Sequence, residues 1–220
     1  MKWDTSRWST ERIIEFCIAA ACLGCAIAFN SFMGSLADVA GESAHPSPDM
    51  LLALLPRVDL RILFVWGFAA FCAWAIAMAW LRETRRIAHI AWLYALLLIV
   101  RGLFIALTPM RAPAGSLWAG GDPLFDLVGR YLTFHNDLFF SSHTALPFLG
   151  FLAYRDRWVR LVFLGLSVVL AITVLLTRLH YSIDVFAAYF ITYAVYRFEN
   201  RWFRWPYRRL RRKALGWLAP

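Results

Sequence analysis

Apolar residues along this 220-residue chain fall into six long blocks separated by short polar breaks. Each block has about the 17 to 25 residues that cross a hydrocarbon core of about 30 Å as a helix. Their limits lie near residues 13–34, 60–81, 87–108, 138–154, 158–177 and 179–198. Two breaks are longer than the rest. Ala40 to Asp59 is polar and contains prolines, and Pro109 to Asp137 is rich in Gly, Pro and acidic residues. No internal repeat or low-complexity tract interrupts the pattern. It predicts an all-α, polytopic membrane bundle of about six transmembrane helices: an N-terminal interfacial segment 1–12, a six-span membrane domain 13–198 and a basic tail 199–220.

Composition agrees with that reading. With 61% hydrophobic and 17% aromatic residues and a mean hydropathy of +0.57, the chain has too little polar surface to cover a soluble globule. The formal charge of +9 raises the question of nucleic acid, but the basic residues sit in clusters at the ends of apolar blocks. Such clusters orient membrane proteins. Three lie in the N-terminal stretch, three at 82–86, three at 155–160 and eight from Arg197 to Lys213, so 17 of the 23 share one side. Both termini are therefore expected in the cytoplasm, and no nucleic-acid partner is expected. In the tail, Trp202, Phe203, Trp205 and Tyr207 interleave with the basic residues, as in an interfacial helix on anionic headgroups. Cys17, Cys22, Cys25 and Cys72 lie inside apolar blocks with no nearby histidine, so neither disulfides nor a metal site is expected. The long charged stretch before the first block favours a span over a cleaved signal peptide, and a signal anchor fits the same pattern.

Two polar clusters stand where apolar blocks begin. Asn136-Asp137-x3-Ser141-Ser142-His143-Thr144 precedes the fourth, and His180-Tyr181-Ser182-x-Asp184 opens the sixth. The inferred topology puts both on the extracytoplasmic face. Ionisable groups are costly at such depth and tend to be kept for chemistry. His180 and Asp184 are four apart, so on a helix they share a face, and the carboxylate can hold one ring nitrogen protonated and leave the other free as a nucleophile. A satisfied interfacial His–Asp pair would have the same spacing. His143 follows two serines whose hydroxyls, with the free amides of a helix start, offer donors to phosphate. It could act as general acid toward a departing alkoxide and then as base toward an incoming hydroxyl. By itself it also reads as an interfacial histidine beside a cap.

Together the clusters resemble the sphingomyelin synthase family of the type-2 phosphatidic acid phosphatase superfamily. Asp137-x3-Ser141-x-His143-Thr144 is similar to the family's C-G-D-x3-S-G-H-T, and His180-Tyr181-Ser182-Ile183-Asp184-Val185 with Tyr189 to its H-Y-[ST]-x-D-V-x3-Y. Arg101 to Pro109 is a looser echo of R-x2-T-x2-V-T-x-L-P, and Leu55-Pro56-x2-Asp59 a faint one of P-P-L-P-D. The resemblance implies that His180 is the nucleophile that forms a phosphohistidine, that Asp184 orients it and that His143 shuttles the proton. The chain departs from the family at His135-Asn136, which replace Cys-Gly, and at Ser142, which replaces a glycine. Either change bears on headgroup choice and rate.

Around the triad, Asp137, Ser141, Ser142, Arg101, Arg178 and Tyr181 are the candidate substrate-binding residues. Arg178 either pairs with phosphate oxygens through its fork or snorkels at the end of a span. Arg101 lies inside the third block, where a charge faces the bundle interior or water, and is expected to face a headgroup cavity with Thr108. His135 reads as an exposed loop residue or a supporting donor, while His45 and His89 carry no signal. Trp118, Tyr131 and Phe134 could offer a cation–π face to choline, or anchor the interface. The expected function is transfer of a phosphoalcohol headgroup, phosphocholine or phosphoethanolamine, from a glycerophospholipid donor to a lipid alcohol, ceramide or diacylglycerol, without cofactor or metal. The expected setting is the inner (plasma) membrane of a bacterium. A lipid phosphatase or phospholipase C-type hydrolase uses the same chemistry, but the phosphatase-type K-x6-R-P signature is absent. The intact triad argues against a silent scaffold or lipid transporter.

Overall fold

The computed structural model describes residues 9–203, so most of the N-terminal segment and of the basic tail lies outside it. The described residues form helices and loops: α1 (Thr10–Gly41), α2 (Met50–Leu54), α3 (Phe68–Arg82), α4 (Ile87–Leu107), α5 (Pro123–Leu127), α6 (Ser142–Ala153), α7 (Arg157–Leu176) and α8 (Ser182–Phe198). A π turn, Leu63–Gly67, leads into α3, and another, Glu199–Phe203, follows α8.

A helix therefore stands at each of the six apolar blocks, and four of the helical stretches are long and apolar enough to cross a membrane: Thr10–Gly41, Leu63–Arg82, Thr84–Leu107 and Arg157–Leu176. Large apolar side chains such as Ile18, Phe32, Ile62, Leu107, Ile172 and Phe190 point outward, as a lipid-facing surface requires. The fourth block yields a helix of only 12 residues, about 18 Å at 1.5 Å per residue. It starts at Ser142 rather than near 138 because the Phe140 carbonyl is taken by the Arg101 guanidinium (2.8 Å), and Ser141 is extended as the cap. The long loops hold two short helices whose starts follow ordinary rules. Asp49 accepts the amides of Leu51 and Leu52 to cap α2, and Asp122, followed by Pro123, accepts those of Leu124 and Phe125 to cap α5.

Close packing rests on small residues. A Cβ on Gly102 of α4 would come within 2.8 Å of the Phe29 ring of α1, and one on Gly150 of α6 would meet the Phe163 ring of α7. Phe163, Phe140, Leu93, Leu97 and Leu149 are fully buried between the helices. Successive helices reverse direction, so two ends of the bundle are distinct. At one end Glu83 accepts the Arg155 amide (2.7 Å) and meets Arg86 (3.3 Å), and His89 meets Glu199 (3.4 Å). That end collects the basic clusters at 82–86 and 155–160. At the other end the long loops cover the N-termini of α6 and α8.

Candidate active site

The sequence of the α7–α8 junction sets the position of His180. Arg178 adopts a left-handed backbone (φ 56°) and ends α7 sharply, with the amides of Leu179 and His180 both directed at the Val174 carbonyl. His180 thus sits in the turn ahead of α8 rather than on its face. It still reaches Asp184: the Nδ1 atom lies 3.4 Å from Asp184 Oδ2. That oxygen also accepts the Tyr181 amide (2.9 Å), one half of a capping box at the third helical position. Both side chains are buried. The carboxylate thus stands within ion-pair distance of the ring, while Nδ1 itself makes no hydrogen bond.

His143 occupies the second position of α6, between the rings of Phe64 (4.2 Å between centroids, 15° between planes) and Phe68 (4.0 Å, 35°). Phe64 belongs to the π turn before α3. The ring is nearly sealed from solvent. A backbone bond from the Ser141 amide to the Asp184 carbonyl (3.2 Å) ties the start of α6 to the start of α8. Two helix N-termini, with first-turn amides that lack helical partners, therefore converge beside the two histidines. The Ser141 and Thr144 hydroxyls, His180 Nδ1 and Asp184 Oδ1 are buried without a hydrogen-bond partner. Such atoms are rare in folded proteins and await an acceptor or donor from a ligand or water. The arrangement can bind a phosphoryl group, attack it and supply a proton.

Arg101 and Asp137 are fully buried and paired through the fork, NH2 to Oδ1 at 2.9 Å and NH1 to Oδ2 at 3.2 Å. Arg101 also donates to the Phe140 carbonyl and to Asn30 Oδ1 (3.1 Å). Protein acceptors thus surround the guanidinium, and it pins the loop that leads into His143. Thr108 does not join it, since its hydroxyl bonds the Phe104 carbonyl of its own helix. Tyr181 is buried as well, its hydroxyl donating to the Arg111 carbonyl and accepting from the Ser47 amide. Arg178 meets only the carbonyls of Ala114 and Leu52, at 3.4 Å each, and no carboxylate among the described residues. Ser142 is half-buried and lines an internal cavity. His135 bonds Ser116 (2.8 Å) and leans on Trp118, and Arg130 covers the Tyr131 ring. Among the described residues no group of three or more His, Cys, Asp or Glu could hold a metal ion.

Four residues of α1 belong to this end of the molecule and went unread in the sequence. Asn30, Gly34, Asp38 and Gly41 recur every three or four positions, so they share one helix face. Asn30 holds Arg101; Gly34 admits Phe134 and Asp137; Asp38 accepts the Asn136 amide (2.8 Å); Gly41 admits Asn136 and the Met110 carbonyl. Polar and small residues at helical spacing within an apolar block were the available signal. On the loop side, burial pushes the Asp49 carboxyl up, but the amides of Leu52, Ser182 and Leu51 more than reverse this and hold it below the usual carboxylate range. Asp49 thereby links α2 to the start of α8, through Ser182 at 2.7 Å. No curated protein matches the chain. Residues 136–201, the stretch that carries His143, His180 and Asp184, match the family PAP2 superfamily C-terminal, which supports a relationship to the type-2 phosphatidic acid phosphatase superfamily and its phospholipid chemistry.

Proposed function

We propose that this protein is a membrane lipid phosphotransferase that moves a phosphoalcohol headgroup from a glycerophospholipid to ceramide or a similar lipid alcohol. The observation that carries this reading is the buried cluster itself: His180 lies 3.4 Å from the Asp184 carboxylate, and the Ser141–Asp184 backbone bond ties this pair to the start of α6, where His143 is held between two phenylalanine rings. His180 Nε2 attacks phosphorus, and the bond from phosphorus to the diacylglycerol oxygen breaks as His143 protonates that oxygen. Asp184 holds Nδ1 and offsets the positive charge of the phosphorylated ring. The acceptor hydroxyl then gives its proton to His143 and attacks phosphorus, the P–N bond breaks, and His180 returns to its starting state. Ser141, with the first amides of α6, binds phosphate oxygens, and Arg178 adds a cation at the rim. Arg101 and Asp137 act through the loop as positioning residues. The apolar wall around His143 favours a lipid hydroxyl over water as the second nucleophile, because a dry site suppresses hydrolysis. By the distribution of basic residues, the site opens on the extracytoplasmic face.

Reconstitution with headgroup-labelled phospholipid and ceramide, followed by mass spectrometry of the lipid products, tests this reading. Labelled sphingolipid plus diacylglycerol is the expected outcome. Free phosphoalcohol or phosphate instead would assign a hydrolase.

A further inference from the structure

We infer that a cavity of about 540 Å³ between α1, α3 and α4 receives one hydrocarbon chain of the lipid substrate and limits how long that chain can be. This rests on the lipid phosphotransferase reading and adds a selectivity to it.

The cavity is a slot that runs along the helices. On α1 it extends from Phe16 to Ser31, on α3 from Phe68 to Trp80 and on α4 from Ile87 to Leu98. Those stretches correspond to about 17 to 23 Å at 1.5 Å per residue. One end is polar, lined by Asn30, Ser31, Thr133 and Ser142. Ser142 precedes His143, and Phe68, which lines the same end, packs on the His143 ring, so the polar end lies beside the site with Phe68 between them. The opposite end is narrowed where Phe16 of α1 meets Trp80 of α3 edge-on (5.4 Å between centroids), beside Tyr154, with one face of Trp80 exposed. The walls between are almost wholly apolar. A volume of this size matches a site for one lipid tail, and its polar mouth beside a nucleophile with an apolar narrowed end matches a headgroup joined to a chain. The Phe16–Trp80 contact makes length the selected property, because a chain that outgrows the slot must displace packed rings.

Gly24 lines the slot at mid-depth, and a Cβ there meets nothing within 4 Å. Gly24→Leu therefore fills the slot without a clash and replaces a helix glycine by a better helix former. It is expected to lower turnover of long-chain donors about tenfold relative to short-chain donors. Trp80→Ala, which opens the narrowed end, is expected to shift the preference toward longer chains. In an activity-independent arm, wild-type protein is irradiated with a phospholipid carrying a diazirine at one chain end. Label at Phe16 or Tyr154 is expected; label confined to the outward-exposed Ile18, Trp80 and Phe190 would overturn the inference. So would an unchanged long-to-short ratio in both variants of an active protein. Wild-type protein that transfers no headgroup from any donor, yet takes label at the narrowed end, would defeat the functional reading and leave the chain site standing.

Discussion

Two histidine–carboxylate pairs, the buried His180–Asp184 and the partly exposed His89–Glu199, stand at opposite ends of the bundle with the same 3.4 Å separation. Their surroundings separate them. Around His180 the N-termini of α6 and α8 converge, a second histidine stands in the first turn of α6, and buried hydroxyls lack partners. His89 lies in the first turn of α4 against the C-terminal end of α8, near the Glu83–Arg86 pair, and no other histidine of the described residues is at that end. A His–carboxylate contact is therefore not by itself a site. What makes one is the convergence of positive helix ends, a second acid–base group and unspent donors.

The sharpest way to break this comparison is to remove each histidine in turn. His180→Ala is expected to abolish covalent headgroup labelling and cut turnover by about 10⁴-fold or more, as loss of a nucleophile does. Retained turnover of natural lipid would reverse the two assignments. His143→Ala should lose about 10²–10⁴-fold on natural lipid, and less on a nitrophenyl ester whose leaving group needs no proton. Equal losses on both substrates would make His143 a phosphate ligand instead.

Stability separates the pairs further. Arg101→Met orphans the buried Asp137 carboxylate, and a loss of about 3–5 kcal/mol is expected, with much of it recovered in Arg101→Met/Asp137→Leu. Denaturation of the three variants in one detergent checks it; no recovery in the double variant would mean that the arginine acts through Phe140 and Asn30 alone. Asp49→Ala should cost about 1 kcal/mol through the lost cap of α2 and the lost Ser182 bond. Because the folded state holds this carboxyl low, its contribution is complete above about pH 4 and fades as the pH falls through the lowered value, so the wild-type and variant curves should converge in acid. His89→Gln should leave turnover within about twofold, since it sits at the end without reacting groups. A loss comparable to that of His143→Ala would show that the two ends are coupled.

Much of the fold was legible because apolar blocks record lipid exposure directly. The four spans need only length and hydropathy to be found, and the triad residues stood out as polar groups inside such blocks. The face of α1 was not read. Asn30, Gly34, Asp38 and Gly41 are unremarkable in sequence, and their partners lie 69 to 103 residues away. The start of α6 was misjudged by about four residues for a related reason: apolarity continues through Leu138, Phe139 and Phe140, while the Phe140 carbonyl is claimed by an arginine 39 residues earlier.

The sequence alone determined that the chain is helical and membrane-embedded, how its helices alternate, and which residue types could move a phosphoryl group, because those properties follow from local composition and spacing. Only the tertiary structure decided that His180 meets Asp184 across a turn rather than along a helix, that Arg101 is spent on Asp137, that His143 is held by Phe64 and Phe68, and that an apolar slot leads away from it. Each of these depends on which groups compete for a buried donor or a vacant volume, and that competition is settled between segments distant in the chain.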